Sequence, residues 1–568
     1  MSGLTWTASL VLVRGRSRFR RIRGAAPALL IATLAAPRAI ADDAEPSVRL
    51  ERTELVCEPL GMGAIETVPF NFPGVPESDL EALRARLPGM VETALPPGGN
   101  PNVPRVFGGD LGAPFEHADG RLHFIFDDVE LAPDVGIAPE VCDPNGVCGP
   151  RIVNNDLVAT SSQVSPPTPN SCLSLSIESV PGDPTQFRPL TYNGTYNQGG
   201  ANLGGGVVPG PGFSTGKYIF TLMPRGQNAI CTLRESDNTC PQDGGIEGDV
   251  CAPIFGPTLG LCYFGECSPS ADSPCALRFP PSTLAVQREG SDYVTPEVGV
   301  QIESARVLDA YRGHFATASF YSDVDFRTGN GRVWVVGRDG FWGTQAMKMD
   351  PYLLFHPVRQ GRLGEARYFA GLSYGRPVFS TDRTQAQPIF REDKLVHNHT
   401  SIAYLPQLDG GTWVMLYGGR AQVAIRDAIG FFVRPVTDDH FYDPNAGVYL
   451  RWSKTPWGPW SDAITIFNAM TQGQGGYCDG MYFEDPDARM NFACPPDKLV
   501  HNAHLDRRVV STGLGAEYGV AILSRYAQNA ELGRTFDLYW LMSTWNPYRV
   551  VVMRSRFAID PDTSSRHY

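Results

Sequence analysis

From about residue 105 onward the chain alternates short runs of β-branched and aromatic residues with Gly, Pro, Asn and Asp, and it carries almost no helical periodicity. Runs such as "RLHFIFDDV", "KYIFTLMP", "RVWVVGRDG", "YLLFHPV", "TWVMLYGG", "GVYLRW", "FDLYWLMST" and "RVVVMRSRF" each read as a strand bounded by turn residues. Many short strands without helices between them restrict the fold to a sandwich, a barrel or a propeller, because every strand must find strand neighbours for its backbone. The 60 Gly and 48 Pro supply the turns, and 42% hydrophobic content in 568 residues suffices for a large core. A net charge of −12 argues against nucleic acid or an anionic membrane as partner, since both select a basic face.

An internal repeat chooses among the three architectures. "DKLVHN" occurs at Asp393–Asn398 and again at Asp497–Asn502, 104 residues apart (497 − 393), a separation that two propeller blades of about 50 residues would give. Blade-sized stretches from about 105 to 557, allowing for a Cys-rich insertion near 228–280, add up to about five. The expectation is therefore an all-β chain folded as a five-bladed β-propeller, with a large β-sandwich as the alternative. One helix is expected ahead of it, over "PESDLEALRARL", where Leu80, Leu83 and Leu87 follow a Ser78/Asp79 cap.

The ends and the cysteines suggest a compartment. Residues 1–41 run from a basic stretch (Arg14 to Arg23) through "GAAPALLIATLAA" to Ala39-Ile40-Ala41, the order of a secretory signal, so a periplasmic or extracellular protein is expected. The apolar run is shorter than the roughly 20 residues a membrane span needs. Residues 42–104 then read as an N-terminal extension, 105–560 as the propeller and 561–568 as a tail. Of twelve cysteines, six fall within 231–275; with no CxxC pair among them, disulfides are a better reading than zinc.

Four stretches carry a family resemblance. "VFGGDLGAPFEHADGRLHFIFDDV", "VNNDLVATSS", "WSKTPWGPWSDAITIF" and above all "STWNPYRVVVMRSRF" resemble the first and last blades of the family called domain of unknown function 4185. The resemblance spans roughly 105–557. It implies an exported bacterial five-bladed propeller similar to those of glycoside hydrolases, in a family that includes endo-D-arabinanases. The chain departs from it at Asp127-Asp128-Val129, where the family usually has Gly-Asp-Thr, and in the Cys-rich insertion.

Candidate chemistry centres on carboxylates. If Ala118-Asp119-Gly120 form a three-residue hairpin loop, facing positions sum to 238 and Asp110 sits opposite Asp128; a two-residue loop would instead pair Asp110 with Val129. Opposed side chains have Cβ atoms about 4.5–5.5 Å apart, and two carboxyls so close raise one pKa and supply an acid. The plain alternative is that these aspartates cap turns. The resemblance places Asp110, Asp128 and Asp156 on positions that line the active funnel, with acid, base and stereochemical route left open. Asp127, the repeat histidines His397, His399 and His501, and the aromatics Trp545 and Tyr548 are candidate sugar contacts; the alternatives are backbone bonds for the histidines and packing for the aromatics. No metal set is read from these spacings, no cofactor is expected, and a structural calcium is left open since no EF-hand loop occurs. The expected function is hydrolysis of an arabinan-like polysaccharide by paired aspartates. The alternatives are a non-catalytic carbohydrate- or envelope-binding propeller and a partner-binding role for the stapled insertion.

Overall fold

Strands buried on both faces need apolar residues at consecutive positions, and the structure explains why simple alternation is weak here. In blade after blade, odd and even residues of one strand enter two different cores. Val333 and Val335 pack toward blade two whereas Trp334 and Val336 pack toward blade four. Leu416 faces blade five and Tyr417 faces blade three; Trp540 and Met542 face blade four, while Tyr539 and Leu541 face blade one. An apolar cluster fills each of the five seams between neighbouring blades. Each fully buried Leu or Phe contributes about 1.5–3 kcal/mol by leaving water.

The structure is a computed structural model of the whole chain. It describes residues 47–60, 106–131, 153–177, 210–224, 293–338, 350–394, 400–418, 447–468, 516–530, 534–545 and 549–560, with a few single gaps, and short strands between them. In chain order, β1 (Ser47–Leu60) precedes blade one, made of β2 (Val106–Glu116), β3 (Leu122–Leu131), β4 (Val153–Ser161) and β5 (Ser176–Ile177). Blade two holds β6 (Gly212–Ser214), β7 (Ile219–Pro224), β8 (Ser282–Gln287) and β9 (Tyr293–Val294), with short strands 191–192 and 195–196 at its rim. Blade three is β10 (Thr317–Asp325), β11 (Asn330–Arg338), β12 (Pro351–Arg359), β13 (Arg367–Ser373) and β14 (Arg376–Ser380). Blade four is β15 (Thr400–Leu405), β16 (Thr412–Gly418), β17 (Val448–Ser453) and β18 (Ile464–Phe467). Blade five is β19 (Ala516–Ile522), β20 (Thr535–Trp545) and β21 (Arg549–Asp560), with β1 added antiparallel to β21. The innermost strands β2, β6, β10, β15 and β19 touch in a closed ring, so the fold is a five-bladed β-propeller as expected.

Hydroxyls join the inner ring. An innermost strand has one edge without a strand partner, and its amides must find acceptors elsewhere. Ser319 Oγ accepts from Ile402 N–H at 3.2 Å, Ser401 Oγ from Ile522 N–H at 3.0 Å, and Ser543 Oγ from Leu111 N–H at 2.7 Å. These bonds cross the seams between blades three and four, four and five, and five and one.

Two expectations change. Residues 47–60, placed by the sequence in an extension, form the outermost strand of blade five, and the Cys57–Cys172 disulfide ties that strand to blade one. The "DKLVHN" copies lead into β15 and β19, the innermost strands of adjacent blades, so they lie one blade apart and not two. The reason is loop length. Successive innermost strands start at residues 106, 212, 317, 400 and 516, so a blade with its connections takes roughly twice the anticipated length. The expected helix at 76–87 lies outside the described residues, as do the cysteine side chains of the insertion. The insertion's backbone forms a three-stranded sheet and a separate strand pair, with Cys251 opposite Cys262 in register. Among the described residues no helix is long and apolar enough to cross a membrane.

One buried histidine makes the fold pH-dependent. His356 Nδ1 donates to the Gly364 carbonyl at 2.8 Å and Nε2 accepts from Tyr311 Oη at 3.0 Å, all within the seam of blades two and three. Burial lowers its pKa from 6.5 to about 4, against the smaller opposing effect of the Gly364 carbonyl. The unfolded chain therefore binds this proton first. The stability from neutral His356 is complete above about pH 6.5 and falls as pH drops toward 4, by about 3 kcal/mol in all. Denaturant unfolding of wild type and His356→Asn across that window should show the slope reduced in the variant; equal slopes would contradict the assignment.

Candidate functional site

The hairpin that carries the acidic residues is built as its letters suggest, up to one residue. Gly120 N–H donates to His117 O at 3.0 Å, Gly120 has φ 78°, and the ladder pairs Glu116 with Leu122 and Ala113 with Ile125, all at positions summing to 238. Then Leu111 and Gly112 adopt φ 60° and 72°, a bulge opens, and the register slips by one. Asp110 consequently faces Asp127, not Asp128. A second irregularity follows on β3: Phe126 pairs with Leu157 and Val129 with Asn155, leaving Asp127 and Asp128 together opposite Asp156. Four aspartates thus share one transverse row across the three inner strands of blade one. The side chains of Asp110, Asp127 and Asp128 lie outside the described residues; Asp156 is 2% exposed.

The bulge is strained and held in place. Four non-glycine residues have positive φ among the described residues; Gln360, Tyr374 and Asp409 lie in turns, and Leu111 alone sits inside a strand. Such conformations cost about 1–3 kcal/mol and persist where neighbours fix them, often beside a site. Here the neighbour is blade five. Leu111 N–H is taken by Ser543 Oγ, and a Cβ on Gly519, itself at φ 58°, would stand 3.0 Å from Leu111 Cδ2. At the other end of the same strands Arg525 pairs with Glu116, so β2 and β19 run side by side in the same direction.

This alignment brings in a residue the sequence reading passed over. Glu517 lies on β19 opposite Thr544, one step from Tyr518 and Ser543, and so stands level with Asp110 across the seam. It is 2% exposed. Its signal was a Glu two residues before a glycine inside a strand, the usual mark of a bulge. Trp545 is paired with Ala516 at the same end of blade five, and its side chain lies outside the described residues. His397, His399 and Tyr548 also lie outside them. His501 belongs to a short strand paired with Phe483–Glu484, with only its backbone described.

The first "DKLVHN" copy has a structural use at its start. Asp393 accepts from Arg451 Nη2 at 2.7 Å, and the preceding Glu392, wholly buried, takes Arg338 Nη1 at 3.0 Å and Arg451 Nη2 at 3.3 Å. Arg451 Nε donates to Tyr417 Oη at 2.7 Å, and Arg338 Nε to Thr400 at 3.1 Å. This clamp fixes both ends of the segment leading into β15. Where β2 and β6 end, His117 Nδ1 meets Ser214 Oγ at 2.7 Å, and burial, then the charge of His123, hold His117 below its ordinary pKa. Ser214 is fully buried and also accepts from Gly216 N–H, so it is not an exposed nucleophile. Among the described residues no group of three or more His, Cys, Asp or Glu is placed to hold a metal ion.

No protein-family model matches the chain, and no curated protein matches it in sequence. Among solved structures, a protein from Bacteroides ovatus called a "putative hydrolase" is similar over 79% of this chain and 85% of its own, at 11% identity and a TM-score of 0.38. A protein of unknown function from Dyadobacter fermentans is similar over 90% and 99%, at 10% identity and a TM-score of 0.30. Both are too remote to bear on this chain's chemistry.

The bulge gives a direct test of the row. A Cβ on Gly112 would fall 2.2 Å from Phe126 Cε1 at a backbone angle that favours glycine. Gly112→Ala should lower unfolding stability by about 2–4 kcal/mol. Unchanged stability in denaturant melts would mean that the register does not slip there.

Proposed function

We propose that the chain is an exported member of the domain of unknown function 4185 family that hydrolyses a glycosidic bond, with an arabinan-like polysaccharide as substrate, at the carboxylate row of blade one. The observation that carries this reading is the register: Asp110 faces Asp127, and Asp156 faces the Asp127–Asp128 bulge. Glycoside hydrolysis needs one carboxylic acid to protonate the leaving oxygen and one carboxylate to act as nucleophile or to activate water. Opposed strand positions hold Cβ atoms about 4.5–5.5 Å apart, close enough that two carboxyls would not ionise independently and one pKa would rise. Asp110 and one of the Asp127–Asp128 pair are the reacting groups in this reading, and buried Asp156 orients them. His397, His399, His501, Trp545 and Tyr548 are proposed as sugar contacts.

Reducing-sugar release from D-arabinan, L-arabinan and a wider polysaccharide panel tests it. Asp110→Asn and at least one of Asp127→Asn and Asp128→Asn should lower kcat by about 10²–10⁴ with little change in KM. Asp156→Asn should fall between these and wild type. Release unaffected by all four changes would refute the assignment. A wild-type protein that binds a glycan and releases nothing would instead be a non-catalytic binding propeller.

A further inference from the structure

Cysteines stand directly opposite one another in two small sheets that lie outside the blades. In the connection between β3 and β4, Val141–Cys142 runs antiparallel to Cys148–Gly149, with Cys142 paired to Cys148. In the connection between β7 and β8, Leu259–Tyr263 lies between Asn228–Thr232 and Val250–Pro253, and Cys251 is paired to Cys262. The register offers Cys262 no rival on that sheet, since its other neighbour is Ala229 and Cys231 faces Gly260. In the strand pair next along the chain, Cys267 faces Leu277. Directly opposed antiparallel residues have Cα atoms about 4.5 or 5.5 Å apart, within the roughly 4.4–6.8 Å that a disulfide spans. A strand pair of two residues a side is marginal on its ladder alone, so a covalent bond across it supplies what the ladder lacks.

Both connections leave from the end of the propeller that carries the aspartate row. His117, in the turn of the blade-one hairpin, bonds Ser214, where the blade-two hairpin turns, so β3 and β7 set out from one common end. β3 passes Asp127 and Asp128 before it closes at Leu131, and β4 begins at Val153 just before Asp156. β7 closes at Pro224, level with that far end, and the chain returns to blade two at Ser282. The two cysteine pairs therefore occupy equivalent connections, second strand to third, in adjacent blades.

We infer that Cys142–Cys148 and Cys251–Cys262 are cross-strand disulfides, each stapling a hairpin rooted at the carboxylate end of the propeller. Each bond forms by exchange with a disulfide donor of an oxidising compartment: two thiols lose two protons and two electrons, one S–S bond is made, and the donor's S–S bond is reduced to two thiols. The inference rests on backbone register and holds whether or not the aspartates react. Cys57–Cys172 differs in kind, since it joins distant strands and both its residues are buried. Mild reduction should therefore spare it, loosening the two connections and leaving the blades folded.

Disulfide mapping of the full-length protein produced in an oxidising compartment tests this, with free thiols alkylated and digestion by pepsin at low pH, where too little thiolate remains for exchange. Cys142 should be found joined to Cys148, and Cys251 to Cys262. Cys251→Ser should release one alkylatable thiol, at Cys262, and Cys142→Ser one at Cys148. Mild reduction of wild type should speed protease cleavage within 132–152 and 225–281 by about tenfold or more, with the denaturant melt of the propeller unchanged. Either pair recovered as thiols, any of the four cysteines joined to a different partner, or a thiol released elsewhere in the variants would overturn the pairing. Cleavage unchanged once both bonds are reduced would overturn the stapling.

Discussion

Everything in this propeller depends on closing the ring between blades five and one. A blade buries both faces only if it has a neighbour on each side, so an open ring would expose two apolar sheet faces to water. Closure is made by a strand from far away in the chain. Ser47–Leu60 lies along Arg549–Asp560, Thr53 Oγ1 meets Ser555 Oγ at 2.8 Å and also bonds the Ile466 carbonyl of blade four, and Cys57 is covalently joined to Cys172 of blade one. A disulfide spanning 115 residues restricts the unfolded chain strongly, which adds to the packing of Val56 and Cys57 against Phe124, Leu541 and Val552.

The same seam shapes the candidate site. Leu111 tolerates its left-handed backbone because Ser543 of blade five holds its amide and Gly519 makes room for its side chain. That conformation moves Asp110 one step along β3, opposite Asp127. A bulge on each of two adjacent innermost strands then sets Asp110 and Glu517 level across the seam. Closure and register are thus linked: a change that loosened the fifth seam would also free the backbone around Asp110.

Much of this was legible in the letters, and the parts that were not have physical causes. The strand runs marked the blades because β-branched and aromatic residues fit strands buried on both faces, and the count of five survived despite a blade length taken too short. The hairpin turn was legible, with two loop lengths left open; the three-residue loop forms, and Gly120 has the positive φ it requires. The register beyond it was not. Gly112 sits among residues that could continue the ladder, and the groups that hold the bulge, Ser543 and Gly519, lie over four hundred residues away. Likewise Ser47–Leu60 looks like any polar edge strand, and its partner lies at the other end of the chain. Glu517 was invisible for the same reason: its importance comes from alignment with β2, which no local pattern reveals.

In the proposed site, aspartates of blade one are close enough to share a proton. Carbon-13 NMR titration of aspartate carboxyls, in wild type and in Asp110→Asn and Asp127→Asn, measures this directly. One carboxyl should titrate well above the ordinary value of about 3.9, and that signal should vanish or return to the ordinary range in either variant. A protein in which every aspartate titrates at or below the ordinary value, with the two variants otherwise identical to wild type, would contradict it.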